Sequence, residues 1–157
     1  MKKQLLITFL LLLSMQGNST NGQRGNLLCS IENRKVSIFI NSIYTDAEYI
    51  CSKYDLPLSL LLGQCSLESG YGTSYLANNK CNWLGIKYEG KYATFSSRLH
   101  CFEAWAKVMR QSCYNNLQPV SLVEWYDTLT CCGYFTSKTY IKKLNQIIFK
   151  YNLDKLV

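Results

Sequence analysis

Glu68 is the side chain in this sequence best placed to do chemistry, and its surroundings say which kind. It stands near the end of Pro57-Leu-Ser-Leu-Leu-Leu-Gly-Gln-Cys-Ser-Leu-Glu-Ser-Gly-Tyr-Gly-Thr73. Leu58, Leu61, Leu62 and Cys65 recur at i, i+3, i+4 and i+7, the spacing of one apolar helix stripe. Glu68 follows Leu61 by two helical turns and so projects from the middle of that stripe. Gly70 and Gly72 end the helix and let other backbone approach closely. A carboxyl group on the core-facing side of a helix end loses water, which disfavours its charged form and raises its pKa. A carboxylic acid still protonated near neutral pH is what general acid catalysis requires.

The other candidates are thinner. Glu89 is the acidic residue nearest downstream, in a Glu89-Gly90 pair that reads as a turn. His100 and Cys101 offer the elements of a thiol nucleophile and base, but neighbours in a helix face different sides. With a single histidine and no CxxC pair, no metal ligand set is expected, and nothing calls for a cofactor.

These residues must be positioned by a mostly helical frame. From Ile31 to Tyr54, Val36, Phe39, Ile43, Ala47, Ile50 and Tyr54 recur at helical spacing, and Asp55-Leu56-Pro57 ends the run because proline disfavours a helical residue before it. The Pro57 helix follows, then a short helical turn at Thr73–Ala77. Between Asn78 and Phe95 the character changes, and the runs flanking Glu89-Gly90 predict a short β-hairpin. Ser96-Ser97 then caps a helix carrying Leu99, Phe102, Trp105, Ala106, Met109, Cys113 and Leu117. A shorter helix spans Pro119–Thr130, and Ser137 caps a last one presenting Tyr140, Ile141, Leu144, Ile147, Ile148 and Tyr151.

Composition agrees with one folded domain of 157 residues, 48% hydrophobic and 13% aromatic. Met1-Lys-Lys followed by an apolar run from Leu5 to Leu13 reads as a secretory signal over residues 1–23, leaving 24–157 as one domain. The run is too short to span a bilayer, so no stable membrane insertion is expected. The predicted location is periplasmic or extracellular. The eight cysteines fit export, and one or two disulfides are expected from them. Beyond the signal, 15 basic residues face 10 acidic ones, scattered and without an aromatic-interleaved strip. That pattern argues against a nucleic-acid partner and suits an anionic surface such as a cell wall.

Three ordered blocks carry a resemblance. Leu67-Glu-Ser-Gly-Tyr-Gly-Thr-Ser74 with Leu76-Ala77 resembles the "ALESGWGTS.LA" signature of the family 73 glycoside hydrolases, bacterial glucosaminidases that cut peptidoglycan. Asn82-Trp-Leu-Gly-Ile-Lys87 resembles their "NNLFGIK". Gly133-Tyr134-Phe-Thr-Ser-Lys-Thr-Tyr140-Ile-Lys-Lys-Leu144 resembles their "GYATDPxYAxKL", with Ser137-Lys138 where the family has Asp-Pro. The resemblance runs from about Phe39 to Asn152. It implies an α+β, mostly α fold: a lysozyme-like helical domain with a small β-hairpin lobe beside a sugar-binding cleft.

The implied activity is hydrolysis of the β-1,4 bond of the peptidoglycan glycan strand by an endo-β-N-acetylglucosaminidase acting as a monomer. Its catalytic acid falls on Glu68, and the tyrosine of its "GY" block falls on Tyr134. The hairpin is shorter than in many members, and Glu89 is the acid available there for a second catalytic role. Tyr71, Asn82, Trp83, Tyr88 and Tyr140 are the candidate substrate-binding residues. Three rivals share these features: a lytic transglycosylase, a muramidase, and a glycan-binding module that does not cut.

Overall fold

The computed structural model describes residues 34–117 and 119–156. The proposed signal segment, the start of the first helix at Ile31, and Cys29 lie outside the described residues. Helix α1 runs Arg34–Tyr54 and buries Val36, Phe39, Ile40, Ile43, Tyr44, Ala47, Ile50 and Cys51. These positions recur every three or four residues, so one face is core and the opposite face wet. Its carbonyl end is tied off by Arg110, whose guanidinium donates to the backbone oxygens of Tyr54 and Asp55.

Helix α2, Leu58–Ser69, corrects the stripe expected for it. Ser59, Leu60, Leu61, Leu62, Gly63, Gln64, Cys65, Ser66 and Ser69 are all buried, so protein surrounds it for most of its length. A helix apolar on one face sits on a core, whereas one buried all round is the core. Pro57 is its N-cap rather than its first residue, and Gly70 ends it in the left-handed conformation at φ 56°.

Helix α3, Tyr75–Lys80, is capped by Ser74, whose hydroxyl accepts from the Ala77 N–H at 3.2 Å. The expected hairpin follows: β1 (Lys87–Tyr88) and β2 (Lys91–Tyr92) pair antiparallel with Lys87 opposite Tyr92 and Tyr88 opposite Lys91. Such a short ribbon needs fastening from outside. Asn82 supplies it, donating to the carbonyls of Ile86 and Ala93 at 2.8 and 3.0 Å and accepting from the Ile86 N–H at 2.9 Å.

Helix α4, Arg98–Met109, starts at Ser97 as expected, with the hydroxyl accepting from His100 N–H. It does not continue to Leu117. The chain breaks at Arg110–Gln111, where Arg110 leaves helical geometry while its side chain caps α1, and α5 resumes at Ser112–Leu117. Helix α6, Leu122–Cys131, opens with a capping box between Ser121 and Glu124. Helix α7, Tyr140–Lys150, begins after Thr139 without a side-chain cap; Ser137 instead braces the preceding turn through Thr139. A 3-10 turn at Leu153–Lys155 follows.

One cluster of buried apolar side chains joins α1, α2, α4, α6 and α7, which bears out the mostly helical fold with a small hairpin. Gly63 lets α2 and α7 approach closely: a Cβ there would lie 2.7 Å from Ile148 Cγ1 and 3.0 Å from Leu144 Cδ1. Because Gly63 meets Leu144 and Ile148 while Gln64 meets Tyr140, α7 runs back along α2. Its first residue therefore arrives beside the end of α2 that carries Glu68.

Cys113 on α5 is bridged to Cys132 at the end of α6, 19 residues apart. Among the described residues Cys51, Cys65, Cys81, Cys101 and Cys131 are free, so the helical positions of Cys51 and Cys65 are those of buried thiols. Closing a loop of this length contributes ~3 kcal/mol on the chain-entropy account. Replacing Cys113 and Cys132 together by serine is expected to lower the melting temperature by about 5–15 °C. Circular dichroism melts of the unreduced proteins make the comparison; coincident melts would mean that the bridge does not form.

Candidate active site

Glu68 opens into a cavity of about 510 Å³ whose walls come from four parts of the chain. The β-lobe provides Leu84, Gly85, Ile86 and Lys87, α4 provides Trp105 and Val108, and the loop before α7 provides Tyr134 to Ser137. Tyr140 stands at the α7 start. Glu68 is the one carboxylate lining this space among the described residues.

Over the whole residue Glu68 is exposed. Its carboxyl end is crowded, and that end is where ionisation happens. Burial raises its pKa above the ordinary carboxylate value, and a hydrogen bond donated by the Tyr140 hydroxyl pulls the other way. Desolvation is the larger effect, so the expected direction of the shift holds although the expected stripe does not. Gly85, at φ 64°, faces the carboxyl closely enough that a Cβ would sit 3.4 Å from Glu68 Oε2.

Tyr140 is buried, and burial together with the nearby Tyr134 and Glu68 pushes its phenol far above the usual range. Tyr134 is half-buried on the cavity wall. Burial first and then the Glu68 charge push it up as well. The upward direction in both favours the neutral O–H form. Phe135 stacks on Tyr140 with ring centroids 4.7 Å apart and stiffens this wall.

The cavity therefore gathers Glu68, Tyr134 and Tyr140 and leaves the other candidates elsewhere. Asn82 is 1% exposed and commits both amide hydrogens to the hairpin base, which gives it no group to offer a sugar. Trp83 stacks on Phe39 at 6.2 Å with the Arg98 guanidinium over its ring. Tyr71 meets Phe39 and Tyr151 edge-on, at φ 55° between the two glycines. Glu89 occupies the hairpin turn at φ 50°, exposed and off the cavity wall. Tyr88 is 56% exposed and borders a separate hollow of about 430 Å³ with His100, Glu103 and Lys107.

The wall residue Trp105 and Gln64 behind it escaped the sequence reading. Gln64 precedes Glu68 by one helical turn, a spacing that does put it on the same face, but its amide carries no signal of its own. Trp105 fitted the apolar period of α4 and so read as core.

Cys101 cannot act as a nucleophile with His100. It is fully buried, burial pushes its thiol up to about 11, and it accepts from the Trp83 N–H, while His100 is exposed and hydrogen-bonded to Ser96. Reactive thiols have depressed pKa values. No three His, Cys, Asp or Glu side chains group to hold a metal ion among the described residues. No helix among them is long and apolar enough to cross a membrane.

The glucosaminidase family model, described as mannosyl-glycoprotein endo-beta-N-acetylglucosaminidase, matches residues 44–153. The chain belongs to this glucosaminidase family. The family identified from the three sequence blocks is thus the right one, and it is a family of glycoside hydrolases. Among solved structures, the catalytic domain of the autolysin Auto from Listeria monocytogenes superposes with a TM-score of 0.69 at 27% identity. That match covers 87% of this chain and 97% of that one. An N-acetylmuramoyl-L-alanine amidase from Staphylococcus aureus shares the fold at TM-score 0.66 and 24% identity, over 80% of this chain and 44% of its own. The exo-glucosaminidase LytG of Bacillus subtilis is 26% identical over 75% of this chain. The chain spans about half the length, 52%, of that curated relative.

Proposed function

We propose that this protein hydrolyses the β-1,4 bond on the reducing side of N-acetylglucosamine in peptidoglycan glycan strands, with Glu68 as general acid. One observation carries the reading: a desolvated carboxyl held by Tyr140 in a cavity that contains no second carboxylate among the described residues. Membership of the glucosaminidase family supports the bond type, and the relatives named autolysin and LytG support the wall as target. The same relatives support export and a wall location, in keeping with the apolar run near the N-terminus.

The chemistry must supply a proton to the leaving oxygen and a nucleophile to the anomeric carbon. Glu68 gives its proton to the glycosidic oxygen as the C1–O bond breaks. With one carboxylate at hand, the carbonyl oxygen of the substrate's own 2-acetamido group bonds to C1 and forms a cyclic oxazolinium. The Glu68 carboxylate then takes a proton from water as that water's oxygen bonds to C1, reopening the acetamido group and restoring the acid. The anomeric configuration is retained because C1 is displaced twice. Tyr134 presents a neutral hydroxyl on the cavity wall to fix the sugar.

Mass spectrometry of digested peptidoglycan tests the bond. Fragments ending in reducing N-acetylglucosamine are expected. Reducing N-acetylmuramic acid would identify a muramidase, an anhydro end a transglycosylase, and intact strands bound by the folded protein a glycan-binding module. Glu89 provides a separate check. From its exposed turn, Glu89→Gln is expected to reduce wall lysis by less than about threefold, against ~10²-fold or more for loss of a catalytic base. A deep loss at unchanged melting temperature would make Glu89 the base that activates water across the cleft.

A further inference from the structure

Behind the cavity wall lies a line of hydrogen bonds whose direction the Trp105 indole sets. The indole Nε1–H of Trp105 lies 2.7 Å from Gln64 Oε1, both residues being buried. An indole N–H can only donate, so the Gln64 oxygen must face it and the Gln64 amino group must face away. That amino group reaches the Tyr140 hydroxyl oxygen, Nε2 to Oη 3.3 Å. The hydroxyl oxygen is then an acceptor from Gln64, which leaves its single hydrogen for Glu68, a neighbour on the same cavity wall whose ionisation responds to this hydroxyl. Gln64 is 0% exposed, so no water competes for either end of its amide.

We infer that Gln64, its amide fixed by Trp105, is a positioning residue that aims the Tyr140 hydroxyl at Glu68 and so sets the orientation of the acid. The inference rests on the reading of Glu68 as the general acid and adds how that carboxyl is held. Polarity runs one way along the line, from indole to amide to hydroxyl to carboxylate. An ionised Glu68 strengthens every bond in it, and a protonated Glu68 loosens the last. The line therefore favours the carboxylate that must pick up a proton from water, and it opposes the desolvation that favours the acid. Among the other groups around Glu68, Tyr134 also takes a hydrogen bond from the Trp105 side chain but meets Glu68 only through its charge. Tyr134 faces it from the loop before α7, Lys87 lines the same cavity from β1, and Cys65 lies on its own helix with a thiol that burial holds protonated.

Gln64→Met keeps the length of the side chain and removes both hydrogen bonds. Without Gln64 the Tyr140 hydroxyl is free to turn, and the carboxylate loses a steady donor. The alkaline limb of the pH–rate profile for wall lysis is expected to move to higher pH, and kcat to fall by roughly three- to tenfold with KM unchanged. Tyr140→Phe removes the donor itself and moves the limb in the same direction. The two changes act through one bond, so the double variant is expected to go no further than Tyr140→Phe alone. Additive shifts, or a fall in kcat with the limb unmoved, would overturn the inference and make Gln64 a packing residue.

A second measurement needs no change at Gln64. In the native protein the Trp105 indole N–H resonance is expected to titrate with the same midpoint as the activity, and in Glu68→Gln it is expected to stay flat. An indole resonance indifferent to pH in the native protein would overturn the line of bonds. If Glu68→Gln lyses walls as the native protein does, the general-acid reading fails instead. That outcome is separate, because the resonance reports ionisation of Glu68 whatever Glu68 does to substrate.

Discussion

Glu68→Gln is expected to yield a folded protein that lyses purified walls ~10²–10⁴-fold more slowly than the native one, equivalent to about 3–5 kcal/mol in the barrier. Glutamine keeps the size of the side chain and can still accept from the Tyr140 hydroxyl, but it carries no proton to give. The native rate is expected to be greatest at low pH and to fall as pH rises through the raised pKa of Glu68, since the protonated form is the acid. Stability follows the same group. A carboxyl whose folded pKa lies above its unfolded one binds its proton more tightly in the native state. The native protein thus holds its full stability below the unfolded pKa and loses some as pH rises through the folded one. Glu68→Gln removes that loss, so at neutral pH it is expected to melt no lower than native, with the two melts converging in acid. Lysis rates across pH with circular dichroism melts on the same samples make the comparison. Equal lysis by folded native and variant proteins would remove Glu68 from the mechanism.

Tyr134→Phe is the next largest effect, a loss of about 10–100-fold in kcat/KM, the size of one hydrogen bond to a charged or developing charged group. Its phenol is held neutral by burial and by the Glu68 charge, so it can donate to substrate but cannot serve as a base. Phenylalanine keeps the ring that fills the wall and removes only the hydroxyl. The alkaline limb is expected to stay in place, because the Tyr140 bond to Glu68 is untouched. That separates Tyr134 from Tyr140, whose loss moves the limb. A full-rate Tyr134→Phe would leave the tyrosine a wall residue only.

How far the sequence reached depends on whether each signal was local. Helix starts at Ser97 and the hairpin at Glu89-Gly90 follow from the chemistry of a few adjacent residues and appear where expected. The break at Arg110 could not be read from periodicity, because the apolar spacing continues through it. What ends α4 there is a residue whose side chain caps α1, more than fifty positions earlier in the chain. Asn82 shows the same limit from the other side. Its block matched the family, but whether its amide faces sugar or backbone depends on the fold of the next eleven residues.

The sequence by itself determined the family, the mostly helical frame and the candidate acid. Each of these lies in short runs whose spacing or identity is sufficient. Only the tertiary structure decided what surrounds that acid. The Glu68 carboxyl is desolvated not by a stripe on its own helix but among the β-lobe, α4 and α7, and α7 can return along α2 because Gly63 has no Cβ to strike Ile148. Tyr140 is 72 positions from Glu68 and Trp105 is 41 from Gln64. Desolvation and hydrogen-bond direction depend on every group within a few ångströms, and which groups those are is fixed by helix packing rather than by any pattern along the chain.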